Sequence, residues 1–189
     1  MQKIILASQS PRRKQLLEWA EIDFEIKVSA ADETYPEHLP IEEIPVFIAH
    51  NKAKAVQQEN DGSIILAADT IVVLNNQVIT KPSNRDHAIK ILQSLSGKQH
   101  EVITGVVLLR NEKEISFADV TLVEFHNLTD EQIIFYVDHY KPYDKAGAYA
   151  IQEWIGVIGI KSINGDFYNV IGLPISRVVQ ALINLEQKN

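Results

Sequence analysis

The N-terminal stretch brings hydroxyl and cationic side chains together where a strand is predicted to give way to a helix. Ile4–Leu6 is typical of a short buried strand, and Ser10-Pro11 predicts a helix N-cap followed by proline at the first helical position. Ser8, Arg12 and Arg13 flank this helix start. The free N–H groups and partly positive dipole end of a helix N-terminus favour an anion over further cations. The stretch therefore predicts a phosphate cradle, with a solvated basic surface turn as the alternative.

Asp69 is a single carboxylate inside a long apolar segment, residues 63–74, that is predicted to form a strand. A carboxylate buried without a partner is costly, so Asp69 requires a cation, a metal, hydrogen-bond donors or water. Asn75-Asn76 predicts a two-residue hairpin turn, which brings Lys81 within one residue of the position opposite Asp69. The spacing therefore predicts Lys81 as the cation for Asp69. Capping of a turn by Asp69 is the structural alternative.

Three further polar positions are of interest for their chemistry. Asp32 and Glu33 lie in a proline-containing loop, where side chains can point into a cleft, although an acidic pair is usually only solvated. Lys52 belongs to a helix predicted from Ile44 to about Gln58, and most helix lysines face solvent. Gln152 follows an apolar segment, from which its amide could recognise a nucleobase edge or simply lie at the surface.

Helical and strand-like hydrophobic patterns alternate along the chain, and these elements must position the polar residues. Helices are predicted at 11–20, 44–58, 83–95, 129–138 and 174–185. Strands are predicted at 24–28, 63–74, 77–79, 101–109, 114–118 and 120–125. Between Tyr143 and Pro174 the glycine-rich composition predicts short strands separated by tight turns.

Composition limits the classes of function. With 189 residues and 46% hydrophobic content, the chain can bury a full core as one domain or two closely joined lobes. A net charge of -7 argues against non-specific nucleic-acid binding. No cysteine is present, and the six histidines show no metal-ligand spacing. Neither a signal peptide nor a membrane-spanning run is evident, so a cytoplasmic protein without a membrane partner is expected.

Seven sequence blocks, in the same order, resemble the Maf-like nucleoside triphosphate pyrophosphatases of the ITPase-like superfamily. The blocks are LASQSPRR at 6–13, IAHNKA at 48–53, ADTIV at 68–72, KP at 81–82, LSGKQHEVITGV at 95–106, DKAGAYAIQ at 144–152 and NVIGLP at 169–174. The resemblance covers nearly the whole chain. The chain departs from the family pattern near position 153, where a glycine is expected and the chain has Glu153-Trp154, and near Asp166, where a smaller residue is expected.

This resemblance implies an α/β fold, with a long mixed central β-sheet flanked by helices and two lobes with a cleft between them. It implies a single domain over residues 1–189 and a homodimer. The implied reaction is hydrolysis of a nucleoside triphosphate, its small-molecule substrate, to a monophosphate and pyrophosphate with a divalent cation. Mg²⁺ is the expected cation and Mn²⁺ the alternative.

Arg12, Thr70 and Gln152 resemble the branch that acts on dTTP, UTP and modified pyrimidine triphosphates in nucleotide-pool house-cleaning. Two alternatives stay open, the sister branch that prefers 7-methyl-GTP and a nucleotide-binding regulator of septum formation with little turnover. The substrate-binding residues implied by the resemblance are Ser8, Arg12, Arg13, Thr70 and Gln152. The implied catalytic residues are Asp69, Lys52, Lys81 and Glu33. Asp69 and Glu33 would hold the metal, and Asp69 would accept a proton from the attacking water.

Overall fold

The computed structural model describes residues 2–28 and 30–187. The helices in these residues are α1 (Pro11–Trp19), α2 (Ile44–Gln57), α3 (Arg85–Leu95), α4 (Asp130–Tyr140), α5 (Trp154–Gly159), α6 (Phe167–Ile171) and α7 (Ile175–Gln187). The strands are β1 (Ile4–Leu6), β2 (Phe24–Ile26), β3 (Ile64–Leu74), β4 (Gln77–Ile79), β5 (Gln99–Arg110), β6 (Lys113–Phe125) and β7 (Ile160–Asn164). Short 3-10 turns occupy Ile41–Glu43 and Ala146–Ala148. The predicted domain of residues 1–189 includes Met1, Ser29, Lys188 and Asn189, which lie outside the described residues.

The described strands form one mixed sheet of seven strands, flanked by helices. The strand order is β2-β1-β3-β5-β6-β7, and β4 pairs separately with β3. β1 is parallel to both β2 and β3, whereas β4 is antiparallel to β3 and β7 is antiparallel to β6. The α/β class and the mixed central sheet predicted above are confirmed.

The chain folds as two compact units. The first unit contains Met1–Asp69, Thr104–Asp119 and Gly172–Asn189, and the second contains Thr70–Ile103 and Val120–Ile171. Strands β3, β5 and β6 contribute residues to both units. Each unit has its own hydrophobic cluster.

In the first unit, helix α2 packs closely on strand β5. The core of this unit contains small residues on α2 and on β3, including the fully buried Ala49, Ala53 and Ala67. A Cβ at Gly105 would lie 2.2 Å from the backbone nitrogen of Val46, so only glycine allows this approach without a shift of the backbone. The close packing fixes α2 along its length, including the position of Lys52.

In the second unit, three rings meet edge to face in the core. The ring centroid of Phe125 lies 5.2 Å from that of His100 and 5.0 Å from that of Tyr149. His100 Nε2 is 2.8 Å from Tyr149 Oη, and His100 is 2% exposed. The absence of metal-ligand spacing predicts that His100 is a structural or surface residue, and the structure places it in the core.

Local sequence signals predicted several element boundaries well. Ser10 caps α1 by accepting the N–H of Arg13, and Thr129 caps α4 in a full capping box. Asn75 and Asn76 have φ of 52° and 59°, which is the left-handed backbone of a two-residue hairpin turn. Helix α3 begins two residues later than predicted because Asn84 provides its N-cap.

The prediction of short strands after Tyr143 was wrong for most of that segment. Only β7 is a strand, and the segment otherwise contains a 3-10 turn and the helices α5 and α6. These helices have six and five residues, which is too short for a helical hydrophobic period to show in the sequence. None of the helices in the described residues is long and apolar enough to cross a membrane.

Burial lowers the pKa of His100 to about 4. The unfolded chain, with an ordinary histidine pKa of about 6.5, therefore takes up a proton first as the pH falls. The free energy of unfolding should fall through this group by about 1.4 kcal/mol per pH unit between roughly pH 6.5 and pH 4, and this contribution should level off below. Denaturant unfolding at several pH values measures this slope.

Other groups also titrate in this pH range, so the slope is compared with that of His100→Gln, which should be shallower. His126 is exposed, and His126→Gln should keep the slope of the unmodified protein. Equal slopes for the unmodified protein and His100→Gln would contradict the assignment.

Candidate active site

The ammonium group of Lys52 joins two carboxylates in the first unit. Its Nζ lies 2.7 Å from Asp69 Oδ1 and 2.8 Å from Glu33 Oε1. The side chains of Lys52 and Asp69 are only 18% and 16% exposed, whereas that of Glu33 is 57% exposed. A single cation therefore lies between a mostly buried carboxylate and one that is open to water.

This arrangement depends on where the elements place each side chain. Asp69 follows the fully buried stretch Ile64–Ala68 of β3, at the point where burial becomes partial. Lys52 precedes Ala53, which belongs to the buried face of α2. An unpaired carboxylate at this depth would cost free energy, and the nearby ammonium compensates for it. The hairpin spacing predicts Lys81 as the cation for Asp69, whereas the structure pairs Asp69 with Lys52.

Asp32 and Glu33, the two acidic residues in the loop before α2, have different partners. Asp32 accepts hydrogen bonds from the backbone N–H of Thr34 at 2.9 Å and from its hydroxyl at 2.8 Å. These bonds lower the pKa of Asp32 and form a local turn. Glu33 instead contacts Lys52. The sequence alone could not separate the two carboxylates, because they are adjacent in an irregular loop.

The predicted phosphate cradle contains a buried arginine. Arg13 Nε donates to the carbonyl of Gly172 at 2.8 Å, and its Nη1 donates to Ser8 Oγ at 3.1 Å. Ser8 Oγ also accepts the backbone N–H of Ser10 at 3.2 Å. Burial of the guanidinium lowers the pKa of Arg13, and the negative charge of Asp69 acts in the opposite direction. Ser8 and Arg13 thus lie together in the first unit.

Arg12 occupies the first turn of α1 beside this group. Its side chain is half-buried, and its charge contributes to lowering the pKa of Arg13. The two adjacent arginines therefore differ in exposure, a difference that the sequence did not indicate.

Three predicted site residues belong to the second unit. The register of the β3–β4 hairpin pairs Val72 with Ile79, and two further positions along this register Thr70 would stand opposite Lys81. Thr70 is half-buried and Lys81 is exposed. Gln152 is exposed, in a turn that precedes α5.

A hydrogen-bonded network that the sequence did not predict holds the turn around Gln152. Tyr136 on α4 donates its hydroxyl proton to the Glu153 carboxylate and accepts the backbone N–H of Ala150 at 3.2 Å. Lys145 Nζ lies 3.5 Å from the other oxygen of Glu153. Burial and the bond to Glu153 raise the pKa of Tyr136. Ala150 and Glu153, which lie on either side of the Ile151-Gln152 pair, are therefore both hydrogen-bonded to the Tyr136 hydroxyl.

The carboxylates of Glu33 and Asp69 fit a divalent cation that takes its other ligands from water and from the substrate. Within residues 2–28 and 30–187 there is no group of three or more His, Cys, Asp or Glu that could hold a metal. Glu33 and Asp69 do share one cation, the ammonium of Lys52. Mg²⁺ commonly uses one or two carboxylates and takes its other ligands from water and substrate phosphates.

Comparison with solved structures identifies the class of fold. The HAM1 protein of Coxiella burnetii matches with a TM-score of 0.52 at 17% identity, covering 97% of this chain and 100% of that one. The Staphylococcus aureus Ham1 protein matches with a TM-score of 0.55 at 15% identity, covering 98% and 100%. The fold is therefore that of the α/β proteins that include Ham1.

Comparison of sequences is more specific. The sequence model of the family described as Maf-like protein matches residues 3–185. A Cytophaga hutchinsonii protein named dTTP/UTP pyrophosphatase is 51% identical over 179 residues, covering 95% of this chain and 82% of the relative. A Bacillus cereus protein of the same name is 49% identical over 182 residues, covering 96% and 95%. The chain belongs to the Maf-like family.

The network around Gln152 can be tested by removing one hydroxyl. Tyr136→Phe should lower the free energy of unfolding by about 1–3 kcal/mol, because the Ala150 N–H and the Glu153 carboxylate lose a buried partner. Denaturant unfolding measures the change. Tyr140→Phe is the matched control, one turn along α4, where Tyr140 is 38% exposed, and it should change stability by less than about 0.5 kcal/mol. Equal effects of the two variants would contradict a structural role for the Tyr136 hydroxyl.

Proposed function

We propose that this protein is a nucleoside triphosphate pyrophosphatase that hydrolyses dTTP and UTP, and modified pyrimidine triphosphates, to the monophosphate and pyrophosphate. Its role would be to remove unwanted nucleotides from the pool. Relatives about half identical over nearly the whole chain carry the name dTTP/UTP pyrophosphatase. The structural observation that carries the proposal is the contact of Lys52 with both Glu33 and Asp69.

Hydrolysis of a phosphoanhydride requires an oriented water, a proton acceptor and groups that neutralise charge on the phosphoryl oxygens. Asp69 acts as the proton acceptor for the attacking water. Lys52, which lies within hydrogen-bond distance of Asp69, neutralises negative charge on the phosphate. Glu33 and Asp69 would hold the divalent cation, Mg²⁺ or alternatively Mn²⁺. When bound, the cation supplies further charge neutralisation and polarises a phosphoryl oxygen.

The family resemblance also implies roles for several residues in binding of the substrate. Ser8 and Arg12 bind phosphate oxygens, and Arg13 adds a positive charge next to Ser8. Lys81 neutralises phosphate charge, and Thr70 and Gln152 contribute to the choice of base together with Arg12. These roles follow from the family resemblance. The exposure of Lys81 and Gln152 is compatible with contact to a ligand.

The remaining proposals concern the protein as a whole. One family match spans residues 3–185 and so includes parts of both units, which supports a single functional domain over residues 1–189. The cytoplasmic location and the homodimer implied by the resemblance stay predictions. Gel filtration with light scattering would measure the oligomeric state.

A substrate panel tests the proposed reaction. We expect pyrophosphate release from dTTP and UTP with Mg²⁺ to exceed release from CTP, GTP and 7-methyl-GTP. A preference for 7-methyl-GTP would assign the chain to the sister branch, and tight triphosphate binding without release would favour a regulatory protein. Absence of release from every nucleotide by folded protein would reject the enzyme.

The role of Asp69 can be tested with an isosteric variant. Asp69→Asn should lower kcat by about 10²–10⁴-fold, because the amide cannot accept the proton from water. Asp32→Asn is a matched control, since among the described residues Asp32 accepts its hydrogen bonds from Thr34 in its own turn, and this variant should stay close to the activity of the unmodified protein. Circular dichroism checks that both variants fold. Full activity of Asp69→Asn would remove Asp69 from the mechanism.

A further inference from the structure

The side chain of Arg13 is occupied by protein acceptors inside the first unit. The residue is only 9% exposed. Its Nε donates to the Gly172 carbonyl and its Nη1 donates to Ser8 Oγ, so one planar guanidinium joins two separate segments. This geometry needs the fixed fork of arginine, which lysine cannot reproduce.

Gly172 presents its carbonyl to Arg13 from an unusual backbone conformation. Its φ is 126°, in a region that residues with a side chain rarely adopt. The following residues anchor this conformation, because Leu173 is fully buried and α7 begins at Ile175. Gly172, within the NVIGLP block at 169–174, therefore supplies a fixed acceptor for Arg13.

Ser8 is oriented by the same contacts. Its Oγ accepts one hydrogen bond from Arg13 and one from the Ser10 N–H, and a hydroxyl oxygen has two lone pairs. Both lone pairs are therefore used, and the hydroxyl proton must point away from these donors. Among residues 2–28 and 30–187 the Ser8 hydroxyl has no acceptor for this proton. An anion such as a phosphate oxygen is a suitable acceptor.

We infer that Arg13 is a positioning residue, which connects Gly172 to Ser8 and sets the Ser8 hydroxyl as a hydrogen-bond donor to the substrate phosphate. Arg13 acts through Ser8 and does not bind the phosphate itself. Arg12, which is half-buried in the same helical turn, is the arginine that contacts the triphosphate. The inference rests on the proposed function, because Ser8 needs a phosphate to receive its proton.

A double-mutant cycle in kcat/KM for dTTP tests this inference. Ser8→Ala removes the donor and should lower kcat/KM by about 10²-fold, as loss of one preorganised donor does. Arg13→Lys should lower it by a similar factor, since lysine cannot hold Ser8 and Gly172 together. In the Ser8→Ala background, Arg13→Lys should lower kcat/KM by less than about threefold more, because a residue that acts through Ser8 has nothing left to position.

Arg12→Lys is the matched control for the cycle. Arg12 is proposed to contact the substrate independently of Ser8. The fold-losses in kcat/KM of Arg12→Lys and Ser8→Ala should therefore multiply in the double variant. If the losses for Arg13→Lys and Ser8→Ala also multiply, Arg13 contacts the phosphate on its own and the inference is wrong. Rates are measured well below the unfolding temperature of each variant, which separates positioning from stability.

A second variant covers the case in which Arg13→Lys does not fold. Gly172→Ala leaves Arg13 intact but strains the backbone that carries its acceptor, and it should show the same dependence on Ser8. If folded Gly172→Ala keeps full kcat/KM, Arg13 does not act through Ser8 on the substrate. Absence of turnover in the unmodified protein would reject the proposed function. Normal turnover with multiplying losses would reject only the role of Arg13.

Discussion

The mostly buried carboxylate of Asp69 constrains how the first unit is built. Its ammonium partner, Lys52, can come within 2.7 Å only if helix α2 lies close to strand β3. The small side chains of Ala49, Ala53 and Ala67 allow this approach. An ion pair at this depth adds little net stability, because desolvation offsets the attraction, but breaking it would leave an uncompensated charge. The alanine-rich packing thus allows the Lys52–Asp69 ion pair to form as well as filling the core.

Positive charge in the first unit is placed at two depths, and the depth decides what each cation can do. Lys52 lies directly between two carboxylates, one of which is open to water. Arg13 is buried, and the negative charges of Asp69 and Glu33 partly oppose the lowering of its pKa by burial. Because arginine remains protonated even when its pKa is lowered, Arg13 provides a constant positive field beside the site. A chain with a net charge of -7 can in this way keep positive charge within one part of its first unit.

The sequence predicted those parts of the fold and site that depend on short-range signals. The Ser10 cap, the Asn75-Asn76 turn and the apolar strand around Asp69 all follow from neighbouring residues. The contact between Lys52 and Asp69 could not be predicted, because it depends on how α2 packs against β3 rather than on any spacing within either element.

Strand β6 shows a similar limit of prediction. The pattern indicated two strands separated at Asp119, and the structure has one continuous strand from Lys113 to Phe125. Arg177 compensates the charge in the middle of this strand, since its Nη1 lies 3.1 Å from the Asp119 carboxylate. Residues 58 positions apart form this contact, so the local pattern contained no sign of it.

The position of Glu153 shows how a departure from a family pattern can be judged physically. A glycine was expected near this position, but the backbone at Glu153 has φ of -95° and ψ of 176°, an extended conformation that any residue can adopt. The requirement for glycine falls instead at Gly156, where a Cβ would lie 1.7 Å from the Ile151 carbonyl oxygen. With no steric bar at residue 153, a carboxylate there can bond to Tyr136 and lie near Lys145. Glu153 is therefore compatible with the backbone at this position, and its contacts stabilise the turn that contains Gln152.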